Sequence, residues 1–442
     1  TYGAAPGMGP PGAAHPGKRR TGPGAPGHSG DSAAHGTQVT HETQGAGRYN
    51  LRMHSDISTD LTIVGGGPVG AALAAALAAS RWQVALVEPR RPAHALRAEG
   101  WDIRIYAISP RNRRLLEQVG AWQRMDAARI CPVQRMLVFG DAGARLSFSA
   151  HDMGVPELAC ILESGAITGA LWGWLEDDAR VALHCPAEPS GVAFAADALH
   201  LGLADGRQLR TRLLVGADGA RSWVRQAAGL QPRHHPQRQM GVVANFECGV
   251  PHGNTAFQWF QPDGVLAWLP LPGARMSMVW SVREARAAEL LALDEAALCA
   301  AVEAAGGSLL GPLRLLAPAA AFPIARFSLD QAIAPRIALA GDAAHVVHPL
   351  AGQGMNLGLG DAESLARVLA APGVRDPGDP LVLRRYQRSR REEVSAMRWT
   401  TDGLDWLFHA GGPGLRWLRN RGLALVDGAM PLKSALVRQA LG

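Results

Sequence analysis

The sequence has only five cysteines, Cys131, Cys160, Cys185, Cys248 and Cys299, far apart and with no C-x-x-C pair. That argues against a disulfide framework and a cysteine zinc site, and fits a reducing cytoplasm. No apolar run reaches bilayer-spanning length, and the first residues lack the apolar core of a secretory signal. Excess charge is small: 44 basic against 38 acidic side chains leave +6 with histidine neutral. The arginines are scattered without interleaved aromatics, so nucleic acid is a poor partner, while an acidic partner or membrane surface stays open. Residues 1–55 hold almost no large apolar side chains. Such a stretch buries too little to offset its ordering entropy and is expected to be disordered, an extended start or an appended remnant ahead of the working protein. Its histidines, His15, His28, His35 and His41, read as part of a solvated tail rather than a metal site.

Beyond the tail, the chain is rich enough in apolar residues for a large core and two domains, at 47% hydrophobic overall. The organising stretch is LTIVGGGPVGAALAAALAASRWQVALVE, Leu61 to Glu88. A short β-branched apolar run reads as a buried parallel strand, and an Ala/Leu helix follows a G-x-G-x-x-G turn. Gly65 allows the tight turn, Gly67 lets a pyrophosphate approach the backbone, and Gly70 lets helix pack on strand. Gln83–Val87 is a second strand, and Glu88 ends it where a carboxylate binds adenosine ribose hydroxyls. A carboxylate there repels a 2′-phosphate, favouring FAD or NAD over NADP. In a chain with 52 glycines the motif alone is weak; the strand, helix and acid around it give it weight.

Two later turns have the same character. Leu213–Val215 runs into GADGARSWVR, placing Asp218 at the carboxyl end of a strand. Ile337–Ala340 runs into Gly341-Asp342, followed by the loop Gly352, Gln353, Gly354, Met355, Asn356, which opens a helix. Asp342 can accept from sugar or ribityl hydroxyls, and the amides of Met355 and Asn356 can point at a carbonyl oxygen. His345 and His348 lack a third ligand, so no metal is expected. Arg104, before the Ser109-Pro110 helix start, can reach a phosphate or ribityl hydroxyl, or be a surface arginine. Between 235 and 325 the segments QMGVVANFEC, AFQWFQPDGVLAWLPLP and RMSMVWSV read as a large antiparallel sheet. Its Trp259, Trp268 and Trp280 fit either the wall of an aromatic-substrate pocket or sheet core.

In this order, GGGPVG, GADGARS and GDAAHVVHPLAGQGMN resemble the FAD-dependent aromatic monooxygenases of the p-hydroxybenzoate hydroxylase type. The phrases DIRIYAIS, ILES, GVLAWLPL, HPLAGQGMNLG and LRRYQRSR bring the likeness closer to the ubiquinone-biosynthesis hydroxylases, over about residues 60–442. The resemblance implies an α/β fold: a Rossmann-like FAD-binding domain interleaved with an antiparallel-sheet substrate domain, plus a C-terminal helical segment. The expected FAD-binding parts are 60–130, 160–232 and 333–398. The expected substrate-binding parts are 131–159 and 233–332, and the C-terminal segment is 399–442. It implies that Gly65, Gly67, Gly70 and Glu88 hold the ADP half of FAD, and that Gly341 and Asp342 serve the pyrophosphate–ribityl region. Gly352, Gly354, Met355 and Asn356 would present backbone to the flavin ring, with Arg104, Glu163 and Asp218 completing the cradle and Pro349 beside the ring. The implied chemistry is O₂-dependent hydroxylation of a hydrophobic, prenylated phenol, carried mostly by the flavin, and no residue stands out as a catalytic base. Beyond the tail, no second G-x-G-x-x-G follows an apolar strand run to hold a nicotinamide cofactor, so NAD(P)H would dock transiently or another reductant would serve.

Flavin halogenases show W-x-W-x-I-P, whereas Trp172-Gly173-Trp174 continues as Leu-Glu-Asp. A quinone or phenol oxidoreductase that does not activate O₂, and a non-catalytic flavin-bearing assembly subunit, use the same cradle and remain open. Near the end, Leu404, Leu407 and Phe408, then Leu415 and Leu418, form a helical apolar stripe beside Arg416, Arg419 and Arg421. That pattern suits contact with the inner face of a membrane or with a ubiquinone-biosynthesis complex, and equally a terminal helix packed on the cofactor domain.

Overall fold

The computed structural model describes residues 57–92, 100–140, 143–234, 239–261, 264–347 and 353–409. All of them fall within one of the two units into which the chain divides, Met53–Gly442. The expected disordered tail, 1–55, therefore lies outside them, as do Pro349, Gly352, His348 and residues 410–442.

Strand Ile57–Val64 lies between Val84–Val87 and Gln208–Gly216, parallel to both. Val181–His184 and Ile337–Leu339 extend this parallel row at either end. Leu61, Ile63, Leu86, Leu213 and Val215 are buried, as continuous apolar runs must be when both faces of a sheet are covered. Helix Pro68–Ala78 makes the crossover between the first two strands. It is buried almost all round because its Ala and Leu residues leave no polar face. Gly67 caps it without a side chain, so first-turn N–H groups face outward with no capping oxygen of their own.

The second sheet runs Ala320–Pro323, Gln239–Cys248, Arg275–Arg283, Gly264–Leu271, Thr255–Gln261, Arg135–Phe139, Arg145–Ser149. Its pairs are antiparallel except Thr255–Gln261 against Arg135–Phe139. The stretch 235–325 is not all sheet: helices Glu284–Ala292 and Glu295–Ala305 interrupt it. Their Ala-, Glu- and Leu-rich sequence favours helix, and Asp294 caps the second by accepting from the Ala297 N–H at 2.8 Å.

Strand alternation decides where the tryptophans go. Phe257 pairs with Trp268, Trp259 with Leu266, and Leu266 with Trp280, which puts all of them on one face. That face packs against Leu290, Leu298 and Val302 of the two helices. Trp259 and Trp268 meet edge to face at 4.7 Å, and Phe139 stacks on Trp259 at 5.3 Å. Gly306, just past the second helix, is left bare for Trp268: a Cβ there would come within 2.0 Å of the indole. Trp259 and Trp268 are therefore helix–sheet core, which corrects the expectation that they wall a substrate pocket.

A small sheet of Ile105–Ile108, Ala159–Glu163 and Cys131–Val133 joins the two halves. Its Ile105, Val133 and Ile161 pack on Ala256, Leu269 and Leu271 of the large antiparallel sheet. The last helix, Pro380–His409, runs unbroken through the boundary expected at 399, with Leu404, Leu407 and Phe408 inside it. No helix among the described residues is long and apolar enough to cross a membrane.

Candidate functional site

The three glycines of the first turn do three different jobs. Gly65 adopts φ +107°, and a Cβ there would lie 2.4 Å from the Ala217 carbonyl oxygen. At Gly70 a Cβ would lie 2.0 Å from the Gly65 carbonyl oxygen, so helix and turn touch backbone to backbone. At Gly67 a Cβ would meet no described atom within 4 Å. The first and third glycines are thus required by the protein itself, and the second borders open space. Glu88 accepts from the Gly66 N–H at 2.6 Å and from the Arg90 N–H at 3.2 Å, tying the second strand to the turn. Trp172 Nε1–H donates to the Gly66 carbonyl at 2.7 Å from beneath. The sequence alone assigns this tryptophan no role; its role needs the crossover helix and Ser164–Asp177 to lie side by side.

Asp218 follows strand Gln208–Gly216. Its Oδ2 accepts from the Val224 N–H at 3.0 Å, and its buried Oδ1 has no hydrogen-bond partner among the described residues. Gly341 adopts φ +61°, and Asp342 after it is exposed to solvent. Burial pushes the Asp342 carboxyl up from its ordinary value; Asp361 adds to this, and His345 and Arg104 oppose it. Arg104 is exposed and sits 5.5 Å over the Phe322 ring of the large antiparallel sheet. The charges of Arg104 and Asp342 are both felt at the Tyr106 hydroxyl, whose titration burial pushes up, so the three groups share one neighbourhood.

Glu163 does not share it. Its carboxylate is 1% exposed, held by Arg129 through Nε at 2.6 Å and Nη2 at 2.8 Å, and it also accepts from the Asp102 N–H at 2.6 Å. Asp102 in turn accepts from the N–H groups of Arg104 at 3.0 Å and Gly165 at 3.1 Å. Asn245 Nδ2–H, from the antiparallel sheet, donates to the Asp102 carbonyl at 3.0 Å. The expected direct part of Glu163 in the cradle is corrected: both oxygens are spent on shaping the loop that presents Arg104.

Helix Gln353–Ala370 opens beside these groups. A Cβ on Gly354 would meet no described atom within 4 Å, and Met355 is half-buried. The Asn356 side chain is a fastener: its Oδ1 accepts from the Ser109 N–H at 2.9 Å, and its Nδ2–H donates to the Ala107 carbonyl at 2.8 Å. It locks the helix start to the end of strand Ile105–Ile108. His345 donates to Asp361 at 2.7 Å.

Opposite the tryptophans, the other sheet face carries a row across four strands: Ala267, Val279, Val243 and Ala320. All four are half-buried within a sheet that is otherwise closely packed. On the same face, Asn245 reaches Asp102 and Phe322 reaches Arg104, so the row looks toward the loop carrying Arg104. The signal that could have found it is the two-residue period: once Trp268 points to the helices, Ala267 must point the other way.

The donor set fits a flavin dinucleotide. Gly67 and Gly354 border open space at two helix starts, suited to phosphate and carbonyl oxygens. Asp342, exposed beside Arg104, can offer a carboxylate to hydroxyls. Residues 58–400 match the family described as FAD binding domain. The protein is an FAD-dependent aromatic-ring monooxygenase. It is 37% identical over 392 residues to the 3-demethoxyubiquinol 3-hydroxylase of Escherichia coli (strain K12), covering 87% of this chain and 98% of that one. It is 34% identical over 390 residues to ubiquinone hydroxylase UbiL of Rhodospirillum rubrum, covering 88% and 90%. Its fold is similar to the crystal structure of pqsL, a probable FAD-dependent monooxygenase from Pseudomonas aeruginosa, with TM-score 0.69, 24% identity, and coverage of 83% and 99%. The chain belongs to the ubiquinone-biosynthesis hydroxylase family of FAD-dependent monooxygenases.

Proposed function

We propose that the ring this enzyme hydroxylates is a prenylated phenol on the route to ubiquinone, seated between the Ala267–Val279–Val243–Ala320 row and the flavin. The observation that carries the reading is that row: small apolar side chains left half-buried on the face that looks toward Arg104. In this reading Gly65, Gly67 and Gly70 shape the seat of the ADP half, with Glu88 fixing the turn. Asp342 and Arg104 receive the ribityl and phosphate groups, Gly354, Met355 and Asn356 meet the flavin ring from a helix start, and Asp218 lines the far side. When bound, FAD supplies the redox chemistry, drawing electrons from NAD(P)H or another reductant and activating O₂. The protein orients the ring, excludes water through its apolar wall, and keeps charge focused at Asp342 and Arg104. The assignment is supported by the names of relatives that cover nearly the whole chain.

The test is to purify the protein, identify the flavin extracted from one portion, and supply the remaining holoprotein with a prenylated phenol, O₂ and reductant. A product heavier by one oxygen is expected. Substrate oxidation without oxygen gain would favour the oxidoreductase alternative. Cells lacking the protein, and any redundant hydroxylase, should accumulate an under-hydroxylated quinone precursor.

For delivery of so apolar a substrate, we propose peripheral contact with an anionic membrane through the end of the last helix. Trp399, 81% exposed just before the apolar stripe, supports this, since tryptophan suits the interfacial region. Truncation after Arg398 should abolish flotation with anionic liposomes while FAD is retained.

A further inference from the structure

The Gly341–Asp342 turn closes the Ala344 and His345 N–H groups on the Gly341 carbonyl at 2.9 and 3.1 Å, but its own backbone does not serve the Gly341 N–H. Gly341 is held in the left-handed region, and its N–H, at the start of the turn, needs a buried acceptor. Asp361, on helix Gln353–Ala370, supplies it: Oδ2 accepts from the Gly341 N–H at 2.8 Å and from His345 Nε2–H at 2.7 Å. Its Oδ1 accepts from Arg390 Nε–H at 2.6 Å. Arg390, on the last helix, also donates to the Leu357 carbonyl at 3.0 Å and to Glu393. The turn with His345 just beyond it, helix Gln353–Ala370 and the last helix thus meet at one carboxylate that is 1% exposed. The approach is tight by design of sequence. A Cβ on Gly360 would lie 2.9 Å from the Arg390 guanidinium, and one on Gly358 would lie 2.6 Å from Val69, which also packs beside Gly341.

A buried ion cluster can be replaced by apolar packing with little loss of stability, so stability alone does not account for it. What apolar packing cannot do is give the Gly341 amide an acceptor and so fix the direction in which the next residue points. We propose that Asp361 is a positioning residue for the cofactor: through the Gly341 amide it holds the turn that presents Asp342, with His345 and Arg390 locking Asp361 in place. Asp361 touches no cofactor itself. The proposal rests on Asp342 serving the cofactor, as set out above.

The experiment is FAD titration of apoprotein made from the full chain, with folding checked by circular dichroism and cooperative urea unfolding. Asp361→Asn keeps the volume but places an amide NH₂ against a cluster of donors. FAD affinity should fall at least tenfold in protein that still unfolds cooperatively. Amide exchange at Gly341 should quicken in the apo form, a readout that needs no flavin. The second pair is His345→Leu and His345→Gln. The first removes the donor to Asp361 and should weaken FAD, while the second retains a donor and should restore affinity toward the parent. Folded Asp361→Asn with parental FAD affinity and Gly341 exchange overturns the proposal. If Asp361→Asn does not fold, the histidine pair decides, and equal FAD affinities for Leu and Gln overturn it. Asp342→Ala separates the two claims. Unchanged FAD affinity there sinks the seat, whereas weakened affinity there with a parental Asp361→Asn sinks only the positioning role.

Discussion

The two halves of the molecule present their working surfaces in opposite ways. In the parallel-sheet half, the signature residues are glycines, and two of them are fixed by backbone sterics inside the protein. In the antiparallel half, the conspicuous residues are tryptophans, and they turn away toward two helices. The half-buried surface is made by the small residues between them. Conspicuous residues mark the site only where the chemistry acts on backbone; in a sheet, the period of two hands the site to whichever neighbours face the other way.

The comparison breaks most visibly at the glycines. Gly70→Val should yield no folded protein, because its Cβ would sit 2.0 Å from the Gly65 carbonyl and neither backbone can retreat. Gly67→Val should fold and lose FAD, since its Cβ meets only open space. Circular dichroism and flavin absorbance read the two outcomes; a Gly67→Val protein with full flavin would break the contrast.

Across the antiparallel sheet, Trp268→Ala should cost about 3–5 kcal/mol in urea unfolding through the cavity left against the helices. Its KM for the aromatic substrate should stay near parental in the folded fraction. Ala267→Phe should behave conversely, raising KM several-fold with a small stability change. If Trp268→Ala alters substrate preference and Ala267→Phe does not, the faces are assigned the wrong way round.

Asp342→Ala should weaken FAD by roughly 1.5–3 kcal/mol, the scale of a charge-assisted hydrogen bond. Isothermal titration of apoprotein measures it, and a change within error would remove Asp342 from the cradle.

The smallest effect expected is on the pH profile of stability. Burial alone would lower the His345 imidazole, but the Asp361 charge and hydrogen bond reverse this, and its folded value is raised. Its contribution is therefore complete below about pH 6.5 and fades as pH climbs through the raised value. Burial pushes Asp361 up, but His345 and Arg390 outweigh it, and its folded value is lowered. Its contribution is present above about pH 4 and fades as pH falls through the lowered value. Urea unfolding across pH should show His345→Gln losing the alkaline decline while keeping the acid one. An alkaline limb unchanged in that variant would count against the pair.

Much of the cofactor half was legible in the chain. The strand–turn–helix at Leu61–Val87, the strand before Asp218 and the Gly341-Asp342 turn follow from apolar runs that stop at glycine, a local pattern. The helices at Glu284–Ala305 also carried a local signal, in their run of Ala, Glu and Leu, but stood among strands. Less was visible where a side chain's duty is set by a partner far along the chain. Glu163 is spent on Arg129, Trp172 supports Gly66, and Asp361 reaches back to Gly341.

What the sequence determined by itself is the set of turns that can meet a dinucleotide, because a glycine's freedom and a strand's apolar run are properties of a few consecutive residues. The tertiary structure alone decided which sheet face stays open, which acids are free and which are spent. Those outcomes depend on cross-strand register and on which helix arrives to cover a face. Trp268 looks like a pocket wall until Glu295–Ala305 packs over it, and Ala267 then lies on the opposite, half-buried face because successive side chains on a strand point to opposite sides.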